Sequence, residues 1–156
     1  MLNPANHDSS ESASAGFDSD RIVRIEQLMD SFREAAFSSE IRERFAGYAR
    51  FPRGSCTWAS FAFGVLLQEL EPEQDWHLVN GLNPQSIFGH DWLEDGYLAV
   101  DCTADQFPDE MPFVGLSPPP VAKAWPTQRR IELSTAGSEP LAALAAIRKM
   151  IQNPSG

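Results

Sequence analysis

One amphipathic stripe dominates the N-terminal part of the chain. Hydrophobic residues recur there at steps of three and four, the period of an α-helix, at Ile22, Ile25, Leu28, Met29, Phe32 and Ala36. Asp18 and Asp20 precede the stripe, and acidic residues favour a helix N-terminus. We therefore predict a helix that begins at 18–20. Residues 1–17, rich in Asn, Ser, Ala and Asp, have little to bury and are predicted to form a disordered tail.

A short helix is predicted next. It begins at Ser38 or Ser39, places Ile41 and Phe45 inward, and ends at Gly47. The dipeptide that follows, Phe51-Pro52, favours extended backbone before the next element because proline restricts the residue that precedes it.

The most hydrophobic segment of the chain covers residues 56–70. Its apolar residues leave almost no polar face: Trp58, Phe61, Ala62, Phe63, Val65, Leu66, Leu67 and Leu70. A helix that is apolar all round is normally buried on most sides. We predict that this segment is the central helix and that Cys56 begins it, directly after Gly54 and Ser55.

The second half of the chain reads as a small sheet followed by a helix. Strands are predicted over 76–80, 87–94, 97–103 and 130–134, with a short one over 121–125 inside a proline-rich wrap that covers 104–128. A helix is predicted from 138, with Leu141, Leu144, Ile147 and Ile151 on its apolar face. The expected fold is α+β, with the central helix packed on an antiparallel sheet between flanking N- and C-terminal helices. A single domain would cover 18–152, and 153–156 would be flexible.

Composition narrows the function classes. The chain has 156 residues, enough for one domain with a core, and a formal charge of −10 with two cysteines. Nucleic-acid binding is not expected because clustered Lys and Arg are missing, and no apolar run is long enough to cross a membrane. The first 20 residues hold no Lys, Arg or hydrophobic block. A cytoplasmic protein, or one exported without a cleavable leader, is therefore expected. The oligomeric state stays open.

A hairpin in the second half brings two chemical groups together. Asp95-Gly96 lies between two strand-like runs and predicts a two-residue turn. That turn would pair Glu94 with Tyr97 and place His90 directly opposite Asp101. A carboxylate beside an imidazole fixes its tautomer and stabilises its cation. The alternative for Asp101 is that it bonds the loop after the strand.

Cys56 is the candidate nucleophile. A thiol at a helix N-terminus lies at the positive end of the macrodipole, which favours the thiolate. If the central helix packs on the sheet face that bears His90, then Cys56, His90 and Asp101 form a relay of nucleophile, base and orienting acid.

These segments resemble the papain-like superfamily. The resemblance rests on Gly54-x-Cys56, Gly89-His90-x-Trp92-Leu-Glu, Val100-Asp101-x-Thr103 and Ala104-Asp105-Gln106-Phe107, within residues 50–108. It is closest to the compact bacterial branch related to transglutaminase-like proteases and papain-fold toxin deamidases. The resemblance implies a papain-like core with Cys56 as nucleophile, His90 as general base and acid, and Asp101 as orienter. It also implies amide chemistry on a peptide or protein substrate through a thioester, without a cofactor.

One feature departs from the papain pattern. Papain-type proteases carry a Gln shortly before the nucleophile, and residues 49–55 contain none. The backbone N–H of Cys56 supplies one oxyanion donor, and the second is unassigned. Weak candidates for the second donor or for substrate contact are Ser55, Asn80, Trp92 and Gln106.

Other interpretations remain. A catalytically silent, acidic protein-binding module fits the missing Gln, and a thiol redox protein is weakened because no second cysteine lies near Cys56. A metal site is not expected, since strand alternation turns Cys102 away from His90 and Asp101. We expect the remaining polar and aromatic residues of these segments to have structural roles or to lie at the surface. Trp92 is expected in the core, Asp91 and Glu94 at a solvated rim, His77 in a structural position or at the surface, and His7 in the tail.

Overall fold

The computed structural model describes residues 9–154, which form an α+β fold as predicted. Its helices are α1 (Ser9–Phe37), α2 (Ser39–Arg44), α3 (Cys56–Leu70) and α4 (Ser138–Gln152). Its strands are β1 (His77–Leu82), β2 (His90–Glu94), β3 (Leu98–Asp101), β4 (Phe113–Leu116) and β5 (Thr127–Ile131). Within these residues, no helix is both long and apolar enough to cross a membrane.

Helix α1 starts earlier than predicted. The chain is already helical at Ser9, so residues 9–17 are not the disordered tail that their polar composition suggested. Alanine and glutamate are strong helix formers, and both occur in this stretch, which lets the helix continue beyond its amphipathic part. Residues 1–8, with His7, and residues 155 and 156 lie outside the described part of the chain.

The other helices begin where the sequence placed them, but α2 ends at Arg44 instead of Gly47, and a 3₁₀ turn, Ala46–Tyr48, follows it. Ser38 caps α2 by accepting a hydrogen bond from the Ile41 backbone N–H, and α3 begins at Cys56. Helix α4 begins at Ser138 and buries Leu144 and Ile147, but Leu141 is 45% exposed and does not belong to its packed face.

All strands pair antiparallel in the order β4-β3-β2-β1-β5. The prediction missed β4, and residues 121–125 fall mainly in a 3₁₀ turn, Pro120–Ala124, instead of a strand. The last strand ends at Ile131, three residues before the predicted end, and a second 3₁₀ turn, Leu133–Thr135, follows. Proline at the start of the first turn favours helical backbone there and cannot donate to a ladder.

The two faces of the sheet bury different residues. Helices α1, α3 and α4 cover a large core that includes Leu78, Leu93 and Val100. The opposite face carries a smaller cluster of Val79, Trp92, Ala122 and Trp125. Gly64 allows α3 close to the sheet, because a Cβ there would lie 2.9 Å from Leu93 and 2.5 Å from Leu133.

The β2–β3 hairpin is shifted by two residues from the predicted register. Leu93 pairs with Val100 and Glu94 with Ala99, so the two-residue loop is Gly96-Tyr97 instead of Asp95-Gly96. The Asp95 carboxylate accepts hydrogen bonds from the backbone N–H groups of Tyr97 and Leu98, which makes Asp95 the first residue of the turn. Gly96 has φ +93°, as a type II′ turn requires at that position.

A buried ion network holds this turn against α1. Arg21 donates to both Glu71 carboxylate oxygens, at 2.7 and 2.9 Å, and to Asp95 Oδ2 at 2.7 Å. The Trp76 indole N–H also donates to Glu71. The network therefore joins the first helix, the exit of α3 and the hairpin that carries His90.

Candidate functional site

The centre of the candidate site is a buried imidazole–carboxylate pair. His90 Nε2 lies 2.7 Å from Asp101 Oδ2, and both side chains are 0% exposed. His90 begins β2 and Asp101 ends β3, so the pair lies at one end of the hairpin. The expected contact is present even though the register that predicted it is wrong.

The other oxygen of Asp101 is held by the chain that follows β3. Oδ1 accepts from the Thr103 backbone N–H at 3.1 Å. Asp101 therefore makes both bonds that the sequence allowed as alternatives, one to the ring and one to the loop. These bonds fix the carboxylate and satisfy the polar atoms that burial would otherwise leave costly.

Gln106 lies on the opposite side of the imidazole. Its Nε2 is 3.3 Å from His90 Nδ1 and 3.2 Å from Thr103 Oγ1. The 3₁₀ turn Ala104–Gln106 delivers this carboxamide directly after β3. Both ring nitrogens therefore face polar side chains.

Three aromatic rings surround the imidazole. Phe107 meets it edge-on at a centroid distance of 4.8 Å, Trp92 lies at 5.9 Å and Trp125 at 6.1 Å. Trp92 is fully buried, as expected of a core residue. These rings exclude water from His90 and strengthen its electrostatic contact with Asp101.

Cys56 reaches His90 from the end of α3. The apolar side of the helix packs on the face that bears Leu93, so the condition under which the relay was predicted, packing on the face of His90, is not met. Cys56 is the first residue of the helix and His90 the first of β2, so the two residues approach one another at the edge of the sheet, near enough for Cys56 to raise the pKa of His90. Cys56 is partly exposed, whereas His90 is fully buried.

The environment favours the imidazolium form of His90. Burial by itself lowers the pKa of His90, but the hydrogen bond and the negative charge of Asp101, together with the neighbouring Cys56, outweigh it and raise the pKa to about 9. The ring is thus positioned to hold a proton next to the thiol at neutral pH.

Cys102 lies away from this site. It is buried among the hydrophobic residues under α1 and α3, on the other face from Asp101, as strand alternation predicted. Burial raises the pKa of its thiol. Both cysteines are free, and within residues 9–154 no group of three or more His, Cys, Asp or Glu side chains is arranged to hold a metal ion.

The four weak site candidates have separate locations. The Trp92 indole N–H donates to Glu94, and the Asn80 side chain bonds Asp91 and Arg129. The Ser55 hydroxyl is buried against the Arg53 carbonyl. Gln106 is the candidate whose carboxamide contacts the His90 ring.

Asp91 was expected at a solvated rim and is instead 4% exposed. It lies on the α3 face of the sheet, where Thr57 and Asn80 donate to its carboxylate. Glu94, expected at the same rim, is half-buried and accepts from Trp92. His77 is half-buried on β1, and its Nδ1 lies 3.1 Å from the Asp75 carbonyl.

Sequence reasoning missed Trp125 and the buried Asp91 network as parts of this region. Trp125 lies in a proline-rich segment without periodicity, so its packing beside His90 had no local signal. The signal for Asp91 was its position inside an apolar strand, since a carboxylate there needs hydrogen-bond donors.

No protein-family model, curated protein or solved structure matches the chain.

Proposed function

We propose that this protein is a cysteine-dependent amide hydrolase or acyl transferase of the papain-like kind. The observation that carries the proposal is the placement of one imidazole between two partners. Asp101 binds Nε2 at 2.7 Å, while the partly exposed Cys56 lies near enough to the ring to raise the pKa of His90. With Nε2 occupied, Nδ1 is the nitrogen that exchanges a proton with the thiol.

The proposed reaction begins with the thiolate of Cys56. Its sulfur attacks the carbonyl carbon of an amide, and His90 carries the proton that the thiol has lost. The tetrahedral intermediate collapses when the C–N bond breaks and His90 gives that proton to the departing nitrogen. Water or an amine then gives a proton to the neutral His90 and attacks the thioester carbonyl, and the C–S bond breaks to release the Cys56 thiolate. The result is hydrolysis, deamidation or transamidation, depending on the amide and the acceptor.

Oxyanion stabilisation requires two donors. The first N–H groups of a helix have no partner within it, so the backbone N–H of Cys56 is one donor. Gln106 is the proposed second donor, because its carboxamide lies beside Nδ1 and bonds Thr103, whereas Ser55, Asn80 and Trp92 bond other groups. When Nδ1 carries the proton it no longer accepts from Gln106, which frees one N–H for the oxyanion.

The loop before His90 supports a polypeptide as substrate. Ile87 is 91% exposed and Phe88 71% exposed, and Leu82 at the other end of the loop is 42% exposed. Hydrogen bonds from Asn83 to the Ala124 carbonyl and from the Phe88 backbone to Ser86 hold the loop. It presents apolar side chains beside the site, which suits the side chains that flank a susceptible amide.

Alkylation by iodoacetamide tests the proposal. In the native protein we expect rapid modification of Cys56 below pH 7, slower modification in His90→Ala, and no modification of Cys102, which serves as the internal control. Mass spectrometry of peptides maps both adducts. If the rate of Cys56 modification instead has the pH dependence of an ordinary thiol, with a midpoint at about pH 8.5, the result contradicts the proposed enzymatic function. It then favours the alternative, an acidic binding module.

The reaction type is read from one incubation. A protein substrate such as casein is treated with the wild type and with Cys56→Ala, with and without a fluorescent primary amine. Peptide fragments indicate proteolysis, released ammonia indicates deamidation, and fluorescent casein indicates transamidation. Equal signals from the wild type and Cys56→Ala would contradict a role for the thiol on this substrate.

A further inference from the structure

A second buried carboxylate lies next to the site. Asp91 is 4% exposed, and its two oxygens have separate donors. Thr57 Oγ1 donates to Oδ2 at 2.5 Å, and Asn80 Nδ2 donates to Oδ1 at 2.6 Å. The Ser60 hydroxyl also donates to the Asp91 backbone carbonyl, at 3.2 Å.

These contacts join the two chain segments that carry the reactive pair. Thr57 follows Cys56 at the start of α3, and Asp91 follows His90 at the start of β2. Successive residues of a strand point to opposite faces, so the Asp91 carboxylate lies on the helix side while the imidazole lies on the other. Asp91 therefore acts through the backbone and does not touch the reacting atoms.

The network continues along the same face of the sheet to the edge strand β5. Asn80 is opposite Asp91 in the β1–β2 ladder, and its Oδ1 accepts from Arg129 Nε at 3.1 Å on β5. Arg129 thereby orients the Asn80 amide so that Nδ2 points at Asp91. A buried carboxylate destabilises the fold unless donors bond it, and a pair of hydrophobic side chains would hold a helix on a sheet with a smaller desolvation penalty. The directional bonds instead specify where the end of α3 lies relative to β2.

We infer that Asp91 is a positioning residue that, through Thr57, sets the place of Cys56 against His90. The consequence of this inference for catalysis rests on the proposed function. The approach of Cys56 to His90, which Asp91 is inferred to control, can be measured without any substrate. Loss of the Thr57–Asp91 bond frees the first turn of α3 and moves the thiol away from the ring.

Thr57→Val removes the hydroxyl and keeps the shape, while Thr57→Ser keeps the hydroxyl. Thr135→Val makes the same chemical change at an exposed threonine whose hydroxyl bonds the Glu132 carbonyl. NMR titration of labelled histidine gives the pKa of His90 in each variant and in Cys56→Ala. Iodoacetamide gives the rate of Cys56 modification at pH 6.

In Thr57→Val we expect the pKa of His90 to fall toward its value in Cys56→Ala. Cys56 modification should slow about tenfold or more, because a small misplacement of a reactive group can cost up to about 10²-fold in rate. Thr57→Ser and Thr135→Val should match the wild type. Asp91→Asn is the second variant, with the same expected direction, and it decides the question if Thr57→Val does not fold.

A folded Thr57→Val protein with wild-type His90 pKa and wild-type modification rate overturns the inference, even if its melting temperature is lower. Failure of the proposed function looks different. Wild-type Cys56 would then react like an ordinary thiol, while the His90 titration would still show whether Thr57 controls the contact between ring and thiol.

Discussion

His90 Nε2 lies 2.7 Å from Asp101 Oδ2, although the two residues are not opposite one another in the hairpin. The observed ladder pairs Leu93 with Val100, so Asp101 continues it opposite Trp92 and His90 lies one diagonal away. Diagonal neighbours on one face are within reach of long side chains. The imidazole spans this diagonal, and Trp92 packs beside it.

Replacement of Asp101 by Asn should reduce activity by roughly 10²–10⁴-fold, the usual range for a lost acid–base contribution. Asn keeps the size of the side chain but removes the charge that stabilises the imidazolium. The pKa of His90 should fall in the same variant. Steady-state kinetics and histidine NMR measure the two effects.

The matched control for Asp101→Asn is Asp105→Asn. Asp105 lies in the next turn of the chain but pairs with Arg33, at 2.6 Å, instead of with the ring. It should keep the His90 pKa and most of the activity. Equal losses of activity in both variants would show that the carboxylates of this segment contribute to folding and not to the chemistry of His90.

The stability of the protein should depend on the protonation of His90. Its pKa rises from 6.5 to about 9 on folding, so the stabilisation is fully present below pH 6.5 and is lost as pH rises through 9. At about 1.4 kcal/mol per pH unit, this shift corresponds to roughly 3 kcal/mol.

Urea unfolding of the wild type and of His90→Gln measures this dependence. The difference in unfolding free energy between them should be largest near pH 6 and should shrink toward pH 9.5. A difference that is constant across this range would contradict the raised pKa.

Arg21→Ala should be among the most destabilising single substitutions outside the hydrophobic core. It leaves Glu71 and Asp95 buried without their cation, and breaking a buried pair in this way costs roughly 3–5 kcal/mol. Arg148→Ala is the control, because its pair with Glu69 is exposed, and such pairs contribute at most about 1 kcal/mol.

Denaturant unfolding compares the two arginine variants. The turn that Arg21 holds belongs to the hairpin of His90 and Asp101, so the NMR signal of His90 should also change in Arg21→Ala. A loss of stability no larger than that of Arg148→Ala would show that the buried network is not important for the fold.

Ile87→Ser with Phe88→Ser should weaken substrate binding without weakening the fold. Both side chains are exposed, so their loss should change the unfolding free energy by less than about 0.5 kcal/mol each. We expect KM for a polypeptide substrate to rise several-fold, with iodoacetamide modification of Cys56 unchanged. An unchanged KM would indicate that the substrate does not contact this loop.

Short-range patterns determined much of this protein. The apolar run of residues 56–70 defines α3 from its first residue to its last, with Cys56 at its start. The period of two in a strand places His90 and Asp101 on one face and Cys102 on the other. That assignment survives the error in register, because a shift by two residues leaves every side chain on its own face.

Contacts between distant segments decided the rest. The register of the hairpin follows from the Asp95 carboxylate, which bonds the turn backbone and is held by Arg21 on α1. The side of the sheet that α3 covers, the ring of Trp125 beside His90 and the burial of Asp91 likewise depend on packing between segments far apart in the chain. Local periodicity predicts which side chains share a face and where helices and strands end. Which segment packs on a given face is decided only when the whole chain folds and water is excluded from that face.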